Sequence, residues 1–191
     1  MIILASASPR RRLLLEMLGI EHLVIPPDVP EVQEPGELPE TMAVRLARDK
    51  ARSVAASRSD APVLGADTVV VVDHEVLGKP TDARDAGHML RRLSGRPHRV
   101  VTAVALVNTD GSVRERYDST RVWFRDLTPE MIDAYVATGE PLDKAGSYGV
   151  QGYGAVLIER VEGDFFSVMG LPLKLVVDLL EEAGRPYRFT R

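Results

Sequence analysis

The sequence predicts an α/β fold built on a mixed sheet with long hairpin strands. Three observations carry that expectation: a nearly continuous apolar run from Val63 to Val72, two long strand-like stretches at 98–108 and 113–125, and helical patterning between and around them. Residues 1–7 read as a strand, Ser8-Pro9 as a helix start, and Arg10 to Leu18 as a helix that Gly19 stops. Residues 21–26 form a second strand, after which Pro26, Pro27, Pro30, Pro35, Gly36 and Pro39 make an irregular stretch of a length typical of functional loops. From Thr41 a long helix carries Val44, Ala47, Ala51 and Val54 on one stripe. The run Val63–Val72 is a central strand buried on both faces, and Asp73-His74-Glu75 turns it into Val76-Leu77. Asp82 caps a helix ending at Leu93, Asn108 to Ser112 turns the hairpin, and Thr128-Pro129-Glu130 opens a helix to about Ala137. A glycine-rich segment at 139–154 precedes a strand at 155–161, an amphipathic helix from Leu171 to Ala183 and a short basic end at 185–191.

Composition narrows the function classes. A chain of 191 residues with 45% hydrophobic content buries a sizeable core as one α/β domain or two tightly fused lobes. The absence of cysteine excludes disulfides and thiolate zinc sites and points to a reducing compartment. Met1 to Ala5 is too short for a signal-peptide core, its arginines follow rather than precede it, and no apolar run approaches the roughly 20 residues of a spanning helix. A cytoplasmic protein without membrane insertion is expected. A net charge of -4 supplies no overall basic field for nucleic acid, so a polyanionic ligand must be met locally. Arg10 to Arg12 and the set Arg45, Arg48, Lys50 and Arg52 are the local clusters, the second reading as a solvated helix face.

Four constellations can carry chemistry. Ser6-Ala7-Ser8-Pro9-Arg10-Arg11 stands where a strand hands over to a helix; its free N–H groups and Arg10 suit an anion, and ordinary capping explains it equally. Gly65-Ala66-Asp67-Thr68 puts a carboxylate inside an apolar strand, where it must bind a cation, activate a water or accept strong hydrogen bonds. Gly78-Lys79-Pro80 lacks the leading glycine and the Ser or Thr of a P-loop, so Lys79 is a phosphate ligand or a solvated turn residue. Asp143 to Gly152 combines three glycines with Lys144 and Gln151, whose amide can read a nucleobase edge. Tyr148 and Tyr153 are candidates for base stacking or for packing. There is no G-x-S-x-G elbow, and His74-Glu75 lacks the second histidine of a zinc protease motif. The histidines, His22, His74, His88 and His98, are scattered through different elements.

Taken in order, Leu4-Ala5-Ser6-Ala7-Ser8-Pro9-Arg10-Arg11, Leu46-Ala47-Arg48-Asp49-Lys50-Ala51, Gly65-Ala66-Asp67-Thr68-Val69-Val70, Leu77-Gly78-Lys79-Pro80 and Asp143 to Gly152 resemble the Maf family. The likeness continues through Leu93-Ser94-Gly95 and Gly170-Leu171-Pro172-Leu173, so one Maf-like domain over residues 1–191 is expected. The resemblance implies two lobes around a cleft, a fold related to inosine triphosphate pyrophosphatases, frequent dimerisation, and hydrolysis of a nucleoside triphosphate between its α and β phosphates. It implies Asp67 as general base, Arg10, Thr68 and Gln151 as specificity residues, and Ser8, Lys50, Lys79 and Lys144 as substrate or phosphate ligands. Magnesium or manganese is implied as cofactor, with Glu31 and Asp67 as candidate ligands. Glutamine at position 151 resembles the branch that prefers dTTP and UTP. The family's association with septum inhibition keeps a second class open, a nucleotide-responsive binding module, and a phosphatase releasing orthophosphate is a third.

Overall fold

The computed structural model describes residues 1–189, so the last two positions of the basic end expected at 185–191 lie outside the described residues. The strands are β1 (Ile2–Ala5), β2 (His22–Val24), β3 (Val63–Val72), β4 (Glu75–Leu77), β5 (Pro97–Val107), β6 (Val113–Phe124) and β7 (Ile158–Glu162). The helices are α1 (Pro9–Met17), α2 (Pro39–Ala55), α3 (Ala83–Leu93), α4 (Pro129–Ala137), α5 (Phe165–Met169) and α6 (Leu173–Glu182).

Local chemistry sets these boundaries. Proline occupies the first turn of α1, α2 and α4, where its missing N–H costs nothing. Asp82 accepts from the Asp85 N–H at 2.8 Å to cap α3, and Thr128 does the same for the Met131 N–H at 3.3 Å at the head of α4. Asp73 and His74 both take left-handed backbone angles, with φ of 53° and 66°, to close the tight β3–β4 hairpin. Two expectations need correction. The strand expected at 155–161 begins only at Ile158, because Gly152–Leu157 winds into a 3-10 turn. Helix α5 was not expected at all; Asp164 starts it by accepting from the Phe166 N–H at 2.8 Å.

The strands pair in the order β2-β1-β3-β5-β6-β7, with β4 added to β3. The pairings β1–β2 and β1–β3 are parallel and β3–β4 and β6–β7 antiparallel, so the sheet is mixed, as expected. β3 is buried along its length apart from half-buried Thr68, in keeping with an apolar run that needs cover on both faces.

Two compact units can be distinguished. Unit 1 comprises Met1–Asp67, Thr102–Asp118 and Gly170 onward; unit 2 comprises Thr68–Val101 and Ser119–Met169. In unit 1, Ile3 and Ala5 of β1, Val63 of β3 and Val107 of β5 pack against Ala51 and Val54 of α2. In unit 2, Val70, Val72, Val122 and Phe124 of the strands pack against Leu90 and Leu93 of α3 and Ile132 of α4. Tyr148 belongs to this second core. Its ring meets Phe124 edge-on at 4.7 Å, and its hydroxyl shares a 2.7 Å hydrogen bond with His98 Nε2. Tyr148 therefore packs, and of the two tyrosines considered for stacking only Tyr153 is exposed. Among the described residues no helix is long and apolar enough to cross a membrane.

Candidate functional site

In unit 1 the candidate residues converge because α2 runs hard against β3. A Cβ at Gly65 would lie 2.2 Å from the Ala47 carbonyl oxygen and 2.8 Å from the Ala51 nitrogen, so only glycine admits this approach. Lys50 stands on the same buried face of α2 as Leu46, Ala47, Ala51 and Val54, and its ammonium emerges beside the next strand residues. Lys50 Nζ donates to Asp67 Oδ1 at 2.6 Å and also to Glu31 Oε1. Lys50 and Asp67 are each 5% exposed, which makes this a buried ion pair with a second carboxylate at its rim. The reading of Arg45, Arg48, Lys50 and Arg52 as one solvated face is thus wrong for Lys50, whose side chain is buried and whose ammonium holds Asp67 and Glu31. Arg45 has its own task. It donates from Nε and Nη2 to the two Glu37 carboxylate oxygens, each at 2.7 Å, and from Nη2 to the Val32 carbonyl at 2.9 Å, tying the loop that carries Glu31 to α2. That guanidinium holds the Glu37 carboxyl below its ordinary value.

The β1–α1 junction adds a residue that the sequence reading did not assign. Arg11 is buried; it donates from Nε to the Gly170 carbonyl at 2.8 Å and from Nη1 to Ser6 Oγ at 3.2 Å, while Ser6 Oγ also accepts from the Ser8 N–H at 3.1 Å. Burial pulls the Arg11 pKa down, Asp67 and Glu31 push it back up, and neighbouring Arg10 opposes its charge. Arg11 therefore sits in the field of the same two carboxylates that hold Lys50. Its helical phase with buried Leu14 and Leu15 was the available signal. Ser8 and Arg10, both half-buried, lie at the head of α1. Unit 1 thus brings together Asp67, Lys50 and Arg11, all buried, with Glu31 exposed at their rim: two anions and two cations.

A divalent cation fits this donor set when it arrives with phosphates. Among the described residues no three His, Cys, Asp or Glu side chains are grouped to hold a metal. Two carboxylates nevertheless converge here, and magnesium characteristically takes one or two carboxylates and completes its shell with phosphate oxygens and water.

Unit 2 holds the remaining candidates. Thr68 follows Asp67 in β3 and is half-buried; Lys79 is exposed in the turn after β4. The Gly146 N–H donates to the Gly78 carbonyl at 3.0 Å, which fastens the Lys79 turn to the glycine-rich segment. In that segment Lys144 Nζ donates to Asp143 Oδ1 at 2.6 Å and to the Glu140 carbonyl. Gln151 is exposed, and among the described residues its side-chain amide has no hydrogen-bond partner. A separate groove of about 410 Å³, lined by residues including Asp73, His98, Arg99 and Arg121, contains none of these candidates.

The model of the Maf-like protein family matches residues 1–183. The chain belongs to the Maf family. Curated relatives cover nearly the whole length. A protein of Moorella thermoacetica named dTTP/UTP pyrophosphatase is 52% identical over 96% of this chain and 95% of its own. Proteins of the same name from Symbiobacterium thermophilum and Syntrophomonas wolfei are 50% and 47% identical, over 97% and 95% of this chain and 95% and 96% of theirs. Among solved structures, the Ham1 protein of Staphylococcus aureus aligns over 82% of this chain and 79% of its own with a TM-score of 0.50 at 17% identity, a likeness of fold.

Proposed function

We propose that this protein hydrolyses dTTP and UTP between the α and β phosphates, releasing the nucleoside monophosphate and pyrophosphate. The observation that carries the proposal is the buried Asp67 carboxylate held by Lys50 beside Arg11, in a chain about half identical to curated dTTP/UTP pyrophosphatases. In this reading a water oxygen bonds to the α-phosphorus, the bond from that phosphorus to the bridging oxygen breaks, and Asp67 takes the water's proton. Lys50 and Arg11 offset the charge that gathers on the phosphate oxygens and the leaving pyrophosphate. Ser8 and Arg10 bind at the head of α1, where N–H groups and the helix dipole favour an anion. Lys79 and Lys144 bind phosphate, Thr68 contributes to selectivity, and Gln151 reads the base by matching its amide donor and acceptor to the carbonyl and N3–H of uracil or thymine. Magnesium or manganese, held by Asp67 and Glu31, would supply Lewis-acid polarisation of the phosphates. The family resemblance adds a homodimer to this proposal, checked by light scattering, and the cysteine-free composition adds a cytoplasmic location.

The test is a panel of dTTP, UTP, CTP, methylated GTP and ITP with magnesium or manganese, with products resolved. Selective dTTP and UTP turnover to monophosphate and pyrophosphate, falling by about 10³-fold or more in Asp67→Asn, is expected. Orthophosphate as the product would point to a phosphatase. No turnover of any nucleotide by the folded protein overturns the proposal and favours the binding module.

A further inference from the structure

A flexible glutamine amide can rotate to present either pattern to a base, so selectivity requires that something else fix the backbone from which Gln151 projects. We infer that Glu140 is the positioning residue for the base-reading loop, acting with Tyr135 as a staple on both sides of Gln151. Glu140 Oε1 accepts from the Gly154 N–H at 3.0 Å and from the Tyr135 hydroxyl at 2.9 Å, and Oε2 accepts from the Tyr153 N–H at 2.9 Å. The same Tyr135 hydroxyl accepts from the Gly149 N–H at 3.2 Å. One carboxylate and one phenol thereby hold the backbone two residues before Gln151 and two and three residues after it. The staple is anchored, because Tyr135 is buried in α4 among the unit 2 core residues. It is also close-fitting: a Cβ at Gly154 would lie 2.7 Å from the Tyr135 oxygen and 2.2 Å from the Gly149 carbonyl oxygen. Although partial burial disfavours its charge, the two backbone N–H groups and the Tyr135 hydroxyl hold the Glu140 carboxyl below its ordinary value, as expected of an acceptor used in its ionised form.

Glu140→Gln is a discriminating substitution, since it keeps size and one acceptor but sets an NH2 donor against a backbone N–H that a carboxylate oxygen had accepted from. The inference rests on Gln151 reading the base, so Gln151→Ala is run beside it. In Glu140→Gln, amide exchange at Tyr153 and Gly154 should quicken by about tenfold or more, and the ratio of kcat/KM for UTP over CTP should fall by about tenfold, mainly through a higher KM for UTP. Tyr135→Phe, which keeps the buried ring, should shift both readouts in the same direction and serves if Glu140→Gln does not fold. Unchanged exchange, or faster exchange with the ratio intact, overturns the staple while leaving Gln151 its role if Gln151→Ala still lowers the ratio. A ratio that survives Gln151→Ala overturns the base-reading assignment and with it this inference.

Discussion

Lys50 shows what one side chain contributes when it is buried. Removing it leaves Asp67, 5% exposed, without its ammonium partner, and breaking a buried pair from one side costs about 3–5 kcal/mol. Lys50→Met should therefore lose about that much in urea denaturation, and adding Asp67→Asn should return most of it, because a neutral amide needs no countercharge. Neither variant should turn over nucleotide, so stability and activity separate. Asp67 was legible in the sequence, since a carboxylate in an apolar run must have a partner. Lys50 and Arg11 were not assigned from their chemistry, because counting charges hid the helical phase that puts each beside leucines or alanines of a buried face. Glu31 has no such signal. Its place depends on where the Arg45–Glu37 tether sends an irregular loop, and no periodicity encodes that path.

At the scale of elements, the packing of α2 on β3 is the controlling contact. Gly65→Ala places a methyl against the Ala47 carbonyl oxygen and the Ala51 nitrogen, which are backbone and cannot rotate aside. The helix must back away. A stability loss of about 1–3 kcal/mol is expected by thermal or urea denaturation, together with a fall in kcat/KM at temperatures where the variant remains folded, because Lys50 moves off Asp67. A stability loss with undiminished kcat/KM would contradict this account of the site. Element types were largely legible because caps and periodicity agreed: Asp82 and Thr128 head α3 and α4 as their spacing required. The two misreadings share a cause. Between Gly152 and Met169 the backbone is directed by side chains such as Glu140 and Asp164, which compete with regular ladder bonding that apolar pattern alone suggests.

For the whole molecule, acid stability has an identifiable contributor. Burial lowers the His98 pKa from its ordinary 6.5 to about 4, and His98 Nδ1 has no hydrogen-bond partner among the described residues. Between those values the unfolded chain binds a proton that the folded chain does not, so stability falls as pH drops from about 6.5 to 4 and levels off below. The loss approaches about 3 kcal/mol. Denaturation midpoints across this range should show the slope, and His98→Gln should flatten it whatever it does to stability at neutral pH. The boundary between the two units bears on inheritance rather than energetics. It falls at 67/68, 101/102, 118/119 and 169/170, three of these inside β3, β5 and β6. Neither half is a contiguous stretch of gene. No single recombination point can exchange one whole unit for a homologue's, so on the role proposed for Gln151 a change in the nucleotide preferred is expected to arise from point substitutions rather than from swapped cassettes.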